Sequence, residues 1–167
     1  DLLEEQDVFS DGLSEEKESL HIVGRLDLNT SGLLLLTNDS RWSERLTSPE
    51  HKVEKCYLVT LDNPITDDYA DAFADGMYFS FENITTKPAK LKILANKTTD
   101  QGNEYIAEVK LIEGRYHQIK RMFGRFRNPV IGLHRQAIGN LLLDQKLTVG
   151  CCRFLTNDEV LSIFEKE

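Results

Sequence analysis

Between Ala89 and Phe126 the hydrophobic pattern changes period, and that change limits the folds open to the chain. Ala89 to Leu94 and Glu104 to Ile112 alternate polar and apolar residues, as a strand does when one face is buried. After Gly114 the apolar residues Tyr116, Ile119, Met122, Phe123 and Phe126 recur at helical spacing, with Gln118, Lys120, Arg121 and Arg125 on other faces. Two half-buried strands followed by an amphipathic helix predict a sheet with a helix packed on it. Further strands are expected at Leu33–Thr37, Lys55–Leu61 and Pro129–Leu133, and a polar loop at Asn96–Asn103. Helices are expected at Arg41–Leu46, stopped by Ser48-Pro49, at Thr66–Ala74, capped by Thr66 and ended by Gly76, and at Asp158–Glu165 behind the capping box Thr156–Glu159. Strands outnumber helices without regular βαβ alternation. The class is α+β, with a mixed, largely antiparallel central sheet flanked by helices and loops.

The chain has 167 residues and a formal net charge of −8, which at first sight argues against a nucleic-acid partner. The distribution says otherwise. Residues 1–20 hold eight acids and one lysine and read as an acidic linker or arm, leaving 21–167 as the folded domain. From 115 to 135 there are six bases (Arg115, Lys120, Arg121, Arg125, Arg127, Arg135) and no acid. Such a stripe can meet phosphates even on an acidic protein, and it can equally be a solvated helix face. No apolar run approaches the roughly 20 residues that cross a bilayer, and no membrane partner is expected. Cys56, Cys151 and Cys152 are odd in number and offer no paired-ligand spacing, so reduced thiols in the cytoplasm and no metal are expected.

Two segments carry chemistry. Gly24-Arg25-Leu26-Asp27, followed by a turn-rich loop and Gly32-Leu-Leu-Leu-Leu-Thr37-Asn38-Asp39, sets a carboxylate beside an arginine just before a buried strand. Loops on rigid scaffolds are where catalytic groups sit, although Asp27 alone is equally a turn or cap residue. In Glu113-Gly114-Arg115-Tyr116-His117-Gln118-Ile119-Lys120-Arg121-Met122, a strand ends and a basic helix begins. Arg115 could share a cleft with Asp27 and keep it ionised, or pair with Glu113 beside it.

These two segments, with Lys55-Cys56-Tyr57-Leu-Val59 between them, resemble the three motifs of the pseudouridine synthases that modify ribosomal RNA. The similarity runs from about Val23 to about Phe154. Leu46–Tyr57, Thr86–Ala89 and Tyr116-His117-Gln118 look closest to the branch acting on 16S ribosomal RNA; a large-subunit 23S enzyme is the alternative. The resemblance implies a pseudouridine synthase fold with its cleft across the sheet and a single uridine isomerised without cofactor. Asp27 matches the catalytic aspartate, Arg25 a residue that contacts or displaces RNA near the flipped base, and Tyr57 the ring that stacks on uracil. Arg115 matches the basic partner of the catalytic carboxylate and Leu133 an apolar pocket residue. Lys120, Arg121, Arg125 and Arg135 are expected on phosphates, and the partner is 16S rRNA or a small-subunit assembly intermediate, met by a monomer. The strand motif and small S4-type RNA-binding domain that precede these motifs in the family are not found, so a longer protein is expected. Two other classes stay open: a non-catalytic RNA-binding module, and a metal-dependent phosphodiesterase using Asp27 and Asp39.

Overall fold

A computed structural model describes residues 20–165; the acidic arm lies outside the described residues apart from Leu20. Its frame is a sheet in the order β10-β9-β4-β8-β7, built from β4 (Lys55–Leu61), β7 (Lys90–Thr99), β8 (Gly102–Leu111), β9 (Val130–Ile138) and β10 (Leu141–Leu142). These neighbours are antiparallel. β2 (Thr30–Gly32) joins β9 in parallel, which makes the sheet mixed. β1 (His21–Val23) pairs with β3 (Leu35–Thr37), and β5 (Tyr78–Phe79) with β6 (Ile84–Thr85), as separate ribbons.

The α-helices of the described residues are α1 (Ser40–Thr47), α2 (Asp68–Asp75), α3 (Gln118–Gly124) and α4 (Asn157–Ser162). The capping box holds: Thr156 Oγ1 accepts from the Glu159 amide at 3.2 Å, and Glu159 Oε1 accepts from the Thr156 amide at 2.9 Å. α4 stops at Ser162, short of the expected Glu165. Asp39 caps α1, accepting from the amides of Arg41 and Trp42. The expected cap at Thr66 is displaced: α2 starts at Asp68, and the Thr66 hydroxyl donates to the Asp68 carboxylate instead of accepting from a backbone amide.

Alternation puts Val59, Leu61, Ala107, Val109 and Leu111 on one sheet face, where α2 and α3 cover them with Tyr69, Phe73, Met122 and Phe123. The Phe73 and Phe123 rings are 4.9 Å apart, and both are fully buried. A second cluster, Val23, Leu33, Leu35, Leu46, Val53, Ile138, Leu141 and Ile163, ties β1, β3, α1 and the end of β9 together, with Trp42 packed on it.

Three expectations change. Leu33–Thr37 is not one strand. The chain pairs with β9 through Gly32, then switches at Leu33–Leu34 to pair with β1. Gly32 makes the switch possible: its φ is +117°, and a Cβ there would lie 2.1 Å from the Arg135 carbonyl oxygen. The expected loop at Asn96–Asn103 is mostly ladder, because Lys97 faces Glu104 and Thr98 faces Asn103 on a ribbon wet on both faces, where apolar alternation fades. β9 runs on past Leu133 to Ile138, through His134, Arg135 and Gln136, whose polarity hid a strand flanked on both edges.

Candidate active site

The cleft lies where the β4–β9 face of the sheet meets the Gly24–Thr30 loop, the end of β8 and the start of α3. Its volume is about 370 Å³, within the ~300–1,000 Å³ common for small-ligand sites. It brings together Arg25, Asp27, Tyr57, Arg115, Lys120, Leu133 and Arg135, which the sequence had singled out. Arg121 and Arg125 do not line it.

Asp27 closes a tight turn in which the Thr30 amide donates to its carbonyl at 2.9 Å, and β2 follows directly. The parallel pairing of β2 with β9 therefore fixes where the carboxylate stands. That carboxylate is about one third exposed, and His117 Nε2 lies 4.0 Å from its Oδ1. His117 has a left-handed backbone, φ 47°, and its ring stacks on Tyr116 at 3.9 Å. Tyr57 and Arg135 are directly opposed on β4 and β9, and Leu133 follows two residues away on the same face. The aromatic ring and the apolar residue thus form adjacent parts of the floor.

The expected pairing of Arg115 with Asp27 is corrected. Arg115 Nε donates to Glu113 Oε2 at 3.0 Å. Glu113 is 4% exposed, and its other oxygen accepts from the Lys87 amide at 2.7 Å and from Gln118 Nε2 at 2.9 Å. Gln118 Oε1 in turn accepts from the Arg115 amide at 3.1 Å. A buried carboxylate with this many donors anchors Arg115 at the wall of the cleft; the neighbour in sequence won because it is desolvated and fully coordinated by donors.

The basic stripe is also not one surface. Arg121 makes a two-pronged pair with Glu82, at 2.8 and 2.7 Å, lies 3.8 Å over the Phe79 ring and donates to the Tyr116 carbonyl. Its charge is used within the fold, against the phosphate role expected of it. Glu82 is held below the usual carboxylate range by that hydrogen bond from Arg121. Arg125 is exposed and donates to the Tyr78 carbonyl; Lys120 reaches the cleft. Arg135 is 4% exposed, with Nε donating to the Leu33 carbonyl at 2.9 Å, so it belongs to the cleft floor and not to an outer phosphate surface.

Lys55, at the start of β4, also lines the cleft. Its Nζ donates to the carbonyls of Leu46 at 2.5 Å and Val53 at 2.9 Å. Burial, and then the nearby Arg135 charge, lower its pKa to about 8. Among the described residues, no group of three or more metal-ligating side chains is found. Asp39, spent on capping α1, does not line the cleft with Asp27.

A cleft combining a loop carboxylate, a tyrosine face, an apolar neighbour and several cations is suited to holding a planar base with its sugar near the carboxylate. The family described as RNA pseudouridylate synthase matches residues 1–124, and the chain belongs to it. Its curated relatives include the ribosomal small subunit pseudouridine synthase A of Pseudomonas aeruginosa, 45% identical over 157 residues, covering 94% of this chain and 64% of that protein. The enzymes of the same name from Haemophilus influenzae and Escherichia coli K12 are 48% and 46% identical, covering 84% and 86% of this chain and 57% and 59% of theirs. The chain therefore spans about three fifths of the length of these relatives. A crystal structure of a pseudouridylate synthase superposes with a TM-score of 0.81 at 45% identity, over 93% of this chain and 63% of that one. The archaeal Nop10–Cbf5 complex, at 20% identity and a TM-score of 0.52, shares the fold alone.

Proposed function

We propose that the protein isomerises a single uridine of 16S ribosomal RNA to pseudouridine, acting in the cytoplasm as a monomer on the RNA or on a small-subunit assembly intermediate. The observation that carries this reading is the shared cleft: Asp27 on its β2-anchored turn faces the same cavity as Tyr57, Arg115 and Leu133. The names of the relatives support the small-subunit substrate. In the reaction the N1–C1′ bond breaks, uracil turns within the cleft, C5 bonds to C1′ as its proton leaves, and N1 takes up a proton. Nothing is oxidised or hydrolysed overall, so the residues of the chain suffice. The Asp27 carboxylate attacks the sugar or removes a proton from it. Tyr57 supplies the face for a base withdrawn from its stack, a contact worth roughly 1–3 kcal/mol. Arg115, steadied by Glu113 and Gln118, brings positive charge to the wall, Arg25 stands exposed at the mouth where RNA enters, and Lys120 and Arg125 are available for backbone phosphates. Tritium release from RNA bearing 5-tritiated uridine tests the reading: wild-type protein should release label into water, and a protein that binds RNA without release would be a binding module.

A further inference from the structure

Arg135 poses a problem that the proposed function does not solve. Its side chain is buried in the cleft floor, one nitrogen is satisfied by the Leu33 carbonyl, and Nη2 is buried with no hydrogen-bond partner. No carboxylate lies within ion-pair distance of it among the described residues. Lys55 lies two residues from Tyr57 on the same strand and lines the same cleft, and it too is held only by backbone carbonyls. Of the acids lining the cleft, Glu113 is taken by three donors, and Asp27 lies 4.0 Å from His117. One buried and one half-buried cation without a counter-charge are costly, and an orphaned donor in the floor of a cleft calls for a partner.

Register says where that partner sits. Arg135 is the direct cross-strand neighbour of Tyr57, so the two side chains leave the sheet on one face, side by side. A base stacked on the Tyr57 ring would lie beside Arg135, whose Nε is held by the Leu33 carbonyl. The Arg135 backbone is pinned by Gly32, which bonds its strand so closely that no Cβ fits between them.

We propose, resting on the pseudouridine synthase reading, that Arg135 with Lys55 beside it is a base-recognition site: it holds the carbonyl edge of uracil and takes up the negative charge the ring gains during reaction. When the N1–C1′ bond breaks, its electron pair stays on uracil and spreads over N1, O2 and O4. Donors already fixed beside those oxygens stabilise that charge without reorganising. The pair is consumed when C5 bonds to C1′; release of the C5 proton returns charge to the ring, and N1 takes up a proton from water, while Arg135 keeps its own protons throughout. The depressed pKa of Lys55, about 8, leaves it mostly charged at neutral pH and able to contribute.

Binding and leaving-group chemistry test this separately in the full-length protein. Free uracil and uridine monophosphate are titrated into wild type, Arg135→Met and Arg135→Lys and followed by NMR. Arg135→Met should weaken both ligands by a similar factor of about 10–100, the loss of one charged hydrogen bond, with Arg135→Lys between it and wild type. A loss confined to uridine monophosphate assigns the contact to phosphate and overturns the proposal. RNA with 5-fluorouridine at the target, whose ring holds negative charge more readily, is then compared with uridine RNA for N1–C1′ cleavage in single turnovers, because a C5 fluorine leaves no C5 proton to release. The Arg135→Met defect should be smaller for the fluorinated base; equal defects contradict charge stabilisation. Should the Arg135 variants fail to fold by circular dichroism, Lys55→Gln carries the same two comparisons. Wild-type protein that makes no pseudouridine would refute the proposed function, while the uracil titration would still decide the binding site.

Discussion

Replacing Glu113 with glutamine separates the two partners that Arg115 could have. In the structure the carboxylate accepts from Arg115 Nε on one oxygen and from the Lys87 amide and Gln118 Nε2 on the other. A glutamine keeps one acceptor. It serves best toward the two-donor side, which turns its NH2 group against Arg115 and leaves donor facing donor. The loss is one charge-assisted hydrogen bond beside a buried group, about 2 kcal/mol. For a chain of this size that lowers Tm by about 4–8 °C. Arg115, released from the wall, should also cost activity, in kcat more than in KM. The assay is a double-mutant cycle: thermal unfolding and single-turnover rates for Glu113→Gln, Arg115→Met and the pair. Glu113 and Arg115 should be coupled, the double variant losing clearly less than the sum of the singles. Additive losses at this pair, with strong coupling between Arg115 and Asp27 instead, would refute the anchor and restore the pairing first expected from the sequence.

Three further outcomes follow from the geometry. Gly32→Ala should unfold the β2 junction and with it the Asp27 turn: the φ of +117° alone costs about 1–3 kcal/mol, and the Cβ would also strike the Arg135 backbone, so soluble yield and Tm should collapse. Lys120→Ala and Arg125→Ala should each lower the salt slope of RNA binding by about 0.7–0.9, whereas Arg121→Ala should leave the slope unchanged and lower Tm, because Glu82 already neutralises that charge. Lys55 has a folded pKa near 8 against an ordinary 10.5, so between these values the unfolded chain binds more protons and stability should rise with pH. Denaturant midpoints measured from pH 7.5 to 10 should show that rise in wild type and less of it in Lys55→Met.

Much of this was legible in the chain because local pattern and tertiary demand agreed. β4 and the Ile119, Met122 and Phe123 face of α3 were readable since their apolar periods match the faces they bury, whereas Tyr116, expected on that face, precedes the helix and is exposed, and Gln118, expected on a polar face, is buried. The motif residues Asp27, Tyr57 and Leu133 were readable through resemblance, and the cleft unites them. What escaped depended on distant partners. Nothing near Arg121 in sequence announces Glu82, and nothing near Arg135 announces that β2 covers it, so both were read as outward cations. Lys55 passed as a motif letter because its burial comes from the backbone of Leu46 and Val53, which a side-chain pattern does not encode. The ladder on either side of the Asp100-Gln101 turn escaped for the opposite reason: a ribbon exposed on both faces has no apolar alternation to reveal it.

The role proposed for the Asp27 carboxylate, driving uridine isomerisation in small-subunit RNA, can be put to a decisive test. The most direct measurement maps pseudouridine across 16S and 23S rRNA after incubation with full-length wild-type protein and with Asp27→Asn. One modified 16S uridine with wild type, none with Asp27→Asn, and RNA affinity retained within a few fold is the predicted result. Turnover by Asp27→Asn above a few percent of wild type would contradict the role of Asp27, and 23S modification rivalling 16S would contradict the small-subunit substrate.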